Sequence, residues 1–247
     1  MAQFWHIVNE ILDQSDIVIL VADARVPESV NQEVLSKIKR LEKKYLIVYN
    51  KVDLLSFEER DLLNSRIQKD DYTMMLSAKE HDRTMRLLRR ITGLARGKHV
   101  LVGVVGYPNT GKSSLINALK GRHSASVSSQ AGHTKGVQKV RVSQKITLLD
   151  SPGVIPFSEK YSFVYQAVLS AKSPNQLKDP ESAVLALIEY LEGRVESFYG
   201  VEPSSDYEEV IEAIALSLNI LKSGGVPDTK RVAVRILQDW QNGKILL

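Results

Sequence analysis

Along the first 155 residues, short β-branched runs alternate with stretches whose apolar positions recur every three to four residues. The runs at 16–21, 45–49, 72–76, 100–105, 138–142 and 145–149 predict strands. The stretches at 4–12, 29–42, 57–68, 83–92 and 112–119 predict helices, the first with Phe4, Trp5, Val8, Ile11 and Leu12 on one face. Strand–helix alternation implies an α/β fold, a mostly parallel sheet flanked by helices.

Beyond Pro156 the pattern becomes helical throughout. Asp179 is placed to cap a helix whose first position is Pro180. Ser205 with Glu208 makes a capping-box pattern ahead of Val210, Ile211, Ile214 and Leu218. Asp228 starts a last helix, with Val232, Ala233, Ile236, Leu237 and Trp240 on one face and an end near Gly243. The expected organisation is a first domain at 1–160 and a small all-helical C-terminal domain at 161–247.

Composition narrows the function classes. The chain has 247 residues and no cysteine, which excludes disulfides and thiolate metal sites. No apolar run is long enough to cross a bilayer and the first residues lack a leader pattern, so a soluble cytoplasmic protein with no membrane partner is expected. The net charge of +4 is unevenly spread. Residues 1–155 hold 24 Lys and Arg against 16 Asp and Glu, whereas 156–247 hold 9 against 13. Clusters at Lys37, Lys39, Arg40, Lys43 and Lys44, and from Arg83 to Lys98, suit a polyanion such as RNA. Solvated helix faces are the simpler account of any single such cluster, so charge does not establish an RNA contact.

One motif carries phosphate chemistry. Gly106-Tyr107-Pro108-Asn109-Thr110-Gly111-Lys112-Ser113 fits the phosphate-loop pattern, with a predicted strand before it and a helix after it. Glycines let the backbone N–H groups curl toward a phosphate at a helix start, where the dipole also favours anions. Pro108, Asn109, Thr110, Gly111, Lys112, Ser113 and Ser114 are therefore the expected phosphate-binding residues. Lys112 would bridge the β- and γ-phosphates and the Ser113 hydroxyl would ligate Mg²⁺. Asp150, at the end of the strand at 145–149, begins Asp150-Ser151-Pro152-Gly153, in which the acid would hold Mg²⁺ and the Gly153 N–H would reach the γ-phosphate. Thr134, between the loop and this acid, is the candidate third metal ligand.

Two further strand ends select the base. Asn50-Lys51-Val52-Asp53 follows one strand and Ser77-Ala78-Lys79 another. The Asp53 carboxylate can accept both N1–H and the exocyclic amine of guanine, a pair that adenine cannot supply. Ala78 can offer its N–H to guanine O6, and the stems of Lys51 and Lys79 can flank the base. Asn50, Lys51, Asp53, Ser77, Ala78 and Lys79 thus form the expected guanine site, with GTP and GDP as ligands. A phosphate-loop ATPase or kinase would use Gly106–Ser113 but leave these six residues idle.

In most GTPases the phosphate loop precedes the guanine motifs; here the order is reversed. The arrangement resembles the circularly permuted GTPases, most closely the YlqF/YawG family. The likeness includes Asp23-Ala24-Arg25 with Pro27, the late Gly224-Gly225-Val226-Pro227-Asp228, and Asp239-Trp240 with Gly243-Lys244. It implies a P-loop GTPase fold, slow GTP hydrolysis stimulated by a partner, and a role in assembling the large ribosomal subunit, with that subunit or its rRNA as partner. A nucleotide-regulated RNA-binding module with negligible hydrolysis is the other function considered. Val154 stands where many GTPases carry a water-orienting glutamine. The catalytic candidates are accordingly Asn109, which matches a K⁺-binding asparagine of related GTPases, and Thr134. His6 and His133 are weighed as water-orienting groups, although each is more simply structural. The sequence does not specify an oligomeric state.

Overall fold

The structure is a computed structural model that describes residues 2–67, 71–121, 138–150, 168 and 173–247. Six strands form one sheet: β1 (Ile17–Asp23), β2 (Lys44–Asn50), β3 (Thr73–Met75), β4 (Val100–Gly106), β5 (Gln138–Arg141) and β6 (Ile146–Asp150). Their spatial order is β3-β2-β1-β4-β6-β5, with every pair parallel except β5 against β6. From β1 the chain steps outward to β2 and β3, then returns to the far side of β1 to lay down β4. That reversal opens a crevice at the C-terminal strand ends, where open parallel sheets bind ligands.

Alternation along β1 builds the two faces. Ile17, Ile19 and Val21 belong to one apolar cluster, with Leu87 and Ile91 of α4 (Thr84–Ala95) and Leu115 of α5 (Lys112–Lys120). Val18, Leu20 and Ala22 belong to the other, with Ile11 and Leu12 of α1 (Ala2–Gln14) and Val34 and Ile38 of α2 (Gln32–Arg40). Burying each such aliphatic side chain contributes about 1.5–3 kcal/mol, so the sheet is clamped from both sides. The helix expected over 29–42 is shorter. Pro27–Ser29 form a 3-10 turn, and α2 starts at Gln32 because the Asn31 side chain accepts from Val34 N at 2.9 Å and caps it there. The helix α3 (Phe57–Ile67) follows β2.

Contacts divide the chain into a unit Met1–Phe157 and a unit Ser158–Leu247. The second contains α6 (Pro180–Leu191), α7 (Arg194–Tyr199), α8 (Tyr207–Ser217) and α9 (Thr229–Gln241). Asp179 and Asp228 cap α6 and α9, as their positions predict. The cap of α8 is Asp206, not Ser205. Asp206 is the extended residue directly before the helix and accepts from Glu208 N at 2.9 Å, while Ser205 lies one position too early. Trp240 is fully buried and its indole N–H donates to Val168 O at 2.8 Å. The buried Asp239 carboxylate accepts from Arg235 Nε at 2.7 Å, Lys244 Nζ at 2.8 Å and Tyr199 Oη at 2.9 Å, which ties the end of α9 to α7. No described helix is long and apolar enough to cross a membrane.

Candidate functional site

The phosphate-loop residues occupy the C-terminal end of β4. Gly106 pairs with Val21 of β1, and a Cβ on Gly106 would stand 2.3 Å from Val21 O, so only glycine lets the strands approach there. Residues 107–111 turn back and α5 begins at Lys112, which directs the orphan N–H groups of its first turn toward the loop. Thr110 is buried and its hydroxyl donates to Tyr107 O at 2.9 Å. Asn109, at φ +59, is exposed, as are Ser113 and Ser114. Pro108 is half-buried. Lys112 folds back over its own loop, donating to Gly106 O at 3.0 Å and Tyr107 O at 2.6 Å. Burial pushes its ammonium pKa down to about 8; the Asp150 carboxylate opposes this and the Lys51 ammonium adds to it.

Asp150 ends β6, pairs with Val104 of β4 and is 8% exposed. The sheet therefore brings it beside the phosphate loop. Among the described residues no group of three or more His, Asp or Glu could hold a metal. A divalent ion here would instead take the Ser113 hydroxyl and Asp150 with phosphate oxygens and water, the sparse protein set that Mg²⁺ accepts. Thr134, His133 and Gly153 lie outside the described residues. His6 is exposed on α1.

The two segments expected to select the base follow β2 and β3, and a single side chain joins them to the candidate phosphate loop. Asn50 is 2% exposed; its Nδ2 donates to Thr110 O at 2.9 Å and its Oδ1 accepts from Ala78 N, also at 2.9 Å. The Ala78 N–H expected to meet guanine O6 is thus engaged by Asn50. Ser77 is buried and its hydroxyl accepts from Glu80 N at 3.1 Å, whereas Lys79 is exposed. Asp53 sits in the 3-10 turn Val52–Leu54, entered through Lys51 at φ +69. Its Oδ1 is buried and has no hydrogen-bond partner among the described residues.

Beneath this edge lies a charge cluster in which motif reasoning identified only Lys51. Asp23, at the end of β1 in register with Asn50, receives Arg25 Nε at 3.1 Å, Arg25 Nη2 at 2.9 Å and Lys51 Nζ at 2.8 Å. Asp23 and Arg25 are each 1% exposed. Burial would raise the Asp23 carboxyl, but the Arg25 guanidinium and Lys51 ammonium outweigh it and hold its pKa below the usual range. Burial lowers the Lys51 ammonium, and Asp23 opposes that shift. The only sequence signal for Asp23 and Arg25 was their place in the family resemblance, because neither belongs to a phosphate or guanine motif.

Comparison with known proteins adds to this geometry. A family model described as a 50S ribosome-binding GTPase matches residues 101–217. A GTP-binding protein of Methanocaldococcus jannaschii is 36% identical over 97% of this chain and 65% of the relative. Nucleolar GTP-binding protein 2 of Yarrowia lipolytica is 32% identical over 98% of this chain and 50% of its own length. The chain thus spans half to two-thirds of the length of these relatives. Among solved structures, YlqF from T. maritima bound to GNP has a TM-score of 0.69 at 23% identity, covering 99% of this chain and 95% of that one. The two share the fold.

Proposed function

We propose that the chain is a GTP-binding protein of the YlqF type, whose fold it shares, and that it binds GTP with Mg²⁺, hydrolyses it to GDP and phosphate, and acts as a switch in assembly of the large ribosomal subunit. The observation that carries the base choice is the buried Asp53 Oδ1, which has no hydrogen-bond partner among the described residues. A desolvated carboxylate oxygen of this kind costs about 1–3 kcal/mol until donors reach it. Guanine offers N1–H and the C2 amine side by side, whereas adenine offers neither in that arrangement.

In this reading the N–H groups at the start of α5 and the Lys112 ammonium hold the β- and γ-phosphates. Ser113 and Asp150 hold Mg²⁺, which neutralises the charge that develops on the leaving phosphates. Thr134 and Gly153 complete the γ-phosphate side, and the circularly permuted motif order places them after the base-selecting half. With Val154 in place of a glutamine, Asn109 holding K⁺ is the group proposed to stabilise the transferring phosphoryl. Turnover is then slow, about 10⁻⁴ to 10⁻² s⁻¹ without a partner, and a ribosomal subunit accelerates it in the cytoplasm. The description of the matched family supports the ribosomal assignment.

The test is competition of labelled GTP by unlabelled GTP and ATP, followed by single-turnover hydrolysis with and without large subunits. Preference for GTP that disappears in Asp53→Ala, and hydrolysis accelerated by subunits, is the expected outcome. Equal competition by ATP overturns the guanine site. Tight GTP binding with no hydrolysis under either condition leaves a nucleotide-regulated binding module in its place.

A further inference from the structure

The edge of the sheet opposite Lys112 and Asp150 carries a second concavity. It has a volume of about 650 Å³ and lies between the C-terminal ends of α4 and α5 and the β5–β6 hairpin. Ala95 and Ile146 form part of its apolar floor, while Lys98, Lys120, Arg141 and Lys145 stand around it. Val100 N donates to Lys145 O at 2.9 Å, so the concavity sits where the parallel strands β4 and β6 begin. The phosphate loop lies six residues along β4, about 20 Å away at the rise of a strand. This is therefore not an extension of the nucleotide site.

None of the four cations forms an ion pair among the described residues. Arg141 donates through Nε to Ser143 O at 3.2 Å, a neutral acceptor that supplies no counter-charge. Lys120 and Lys98 lie at or just beyond helix C-termini, where they offset the carbonyl end of the dipole. Arg141 and Lys145 have no helix end to serve, and like charges gathered around one hollow repel one another. Carboxylates share this edge: Asp16, which accepts from Leu101 N at 2.8 Å, and exposed Glu42, which directly precedes Lys43.

The positive band continues past the hollow. Lys43 and Lys44, at the start of β2, donate to Ser15 O at 2.9 Å and Leu94 O at 2.6 Å, which holds both at the same edge of the sheet. From β2 through β1, β4 and β6 to β5 the band crosses four strand spacings, about 20 Å. A band of that length matches a continuous polyanion better than one or two carboxylates on a peptide.

We propose that this edge binds the phosphate backbone of RNA, with Lys98, Lys120, Arg141 and Lys145 gripping phosphates at the hollow. The proposal rests on the ribosomal reading above and assigns the RNA to a surface of the first unit. Bound RNA and bound nucleotide then occupy opposite edges of one sheet and do not compete.

The experiment measures anisotropy of a fluorescein-labelled oligouridylate and a labelled RNA hairpin across a salt series. The proteins are the wild type, Lys98→Gln/Lys145→Gln, and a control, Arg86→Gln/Arg89→Gln, which removes two exposed charges from α4. Each phosphate contact to a single strand contributes about 0.7 to the slope of log affinity against log salt. The Lys98→Gln/Lys145→Gln protein should lose about tenfold in affinity and about 1.4 in that slope, with GDP affinity unchanged; the control should lose much less. If both double variants lose equally, or neither does, the surface is overturned while RNA binding itself stands. If the wild type binds GTP but neither RNA at low salt, the RNA partnership fails and the surface with it. If polyglutamate competes as well as RNA at equal charge, the edge is a general polyanion or acidic-protein surface and the RNA assignment is overturned.

Discussion

Asn50 and Gly111 meet so closely that a single Cβ would separate them: one built on Gly111 would lie 2.1 Å from Asn50 Nδ2. The same nitrogen donates to Thr110 O, and the opposite side-chain atom accepts from Ala78 N. One carboxamide thereby holds the Gly106–Ser113 loop to the segments that begin at Asn50 and Ser77. Gly111 is bare because that link passes over it.

Asn50→Ala removes both hydrogen bonds and leaves the Thr110 carbonyl and Ala78 N–H unpaired, at about 1–3 kcal/mol per buried group. GDP affinity should fall at least tenfold and thermal stability should drop. Gly111→Ala should fail more severely, because φ +89 strains any Cβ in addition to the clash. Combining the two changes should recover part of the loss due to the clash but none due to strain. A double-mutant cycle of GDP affinity measures it, and strict additivity would rule out the contact.

Asp53→Asn should weaken GTP binding by about 5- to 150-fold, the equivalent of 1–3 kcal/mol. The new carboxamide can donate to the C2 oxygen of xanthine while still accepting from N1–H. Xanthosine triphosphate should therefore bind the variant better than GTP does. Competition titrations of both nucleotides against both proteins check the inversion.

Burial lowers the Lys112 ammonium from its ordinary 10.5 to about 8 in the folded protein. The unfolded chain binds more protons than the folded one between these values, so nucleotide-free protein gains stability from this group as pH rises through that window. Triphosphate requires the charged form, so GTP affinity should move the opposite way and fall above pH 8, with proton uptake on binding. Calorimetry in buffers of differing ionisation enthalpy detects that uptake. Lys112→Arg, charged throughout, should abolish the pH dependence even if it weakens affinity.

Asp23→Asn strips the counter-charge from buried Arg25 and from Lys51, a change that typically costs about 3–5 kcal/mol. Because the Asp23 carboxyl is held below 3.8, its contribution is present above that pH and disappears as pH falls through the folded value. Denaturant titrations at neutral pH and in acid should show the two proteins converging in acid. GTP affinity should also fall, since the stem of Lys51 loses its anchor.

If Asn109 holds K⁺ against the transferring phosphoryl, GTP turnover should be several-fold faster in KCl than in NaCl at equal ionic strength. Asn109→Ala should remove the difference while leaving GDP affinity within a few-fold. Equal rates for the wild type in both salts would end this assignment.

Strand and helix positions were readable from periodicity because a two-faced sheet needs apolar residues at every strand position, as in β1. The candidate phosphate loop and the segments Asn50–Asp53 and Ser77–Lys79 could be singled out because backbone-cradled phosphate and a two-donor purine edge each demand particular residues at adjacent positions, and the fold sets all three at the C-terminal ends of strands. Helix ends were less legible. Asn31 and Asp206 outcompeted the expected starts through side-chain bonds that depend on local backbone angles. The Asp23–Arg25–Lys51 cluster joins residues 28 positions apart through the register of β1 with β2. The bridge from Asn50 to Thr110 spans 60 positions. No local pattern encodes such distances, because which strand lies beside which is set by burial on both faces of the sheet. The same holds for the opposite edge, where charges scattered along the chain converge only once β4, β5 and β6 are side by side.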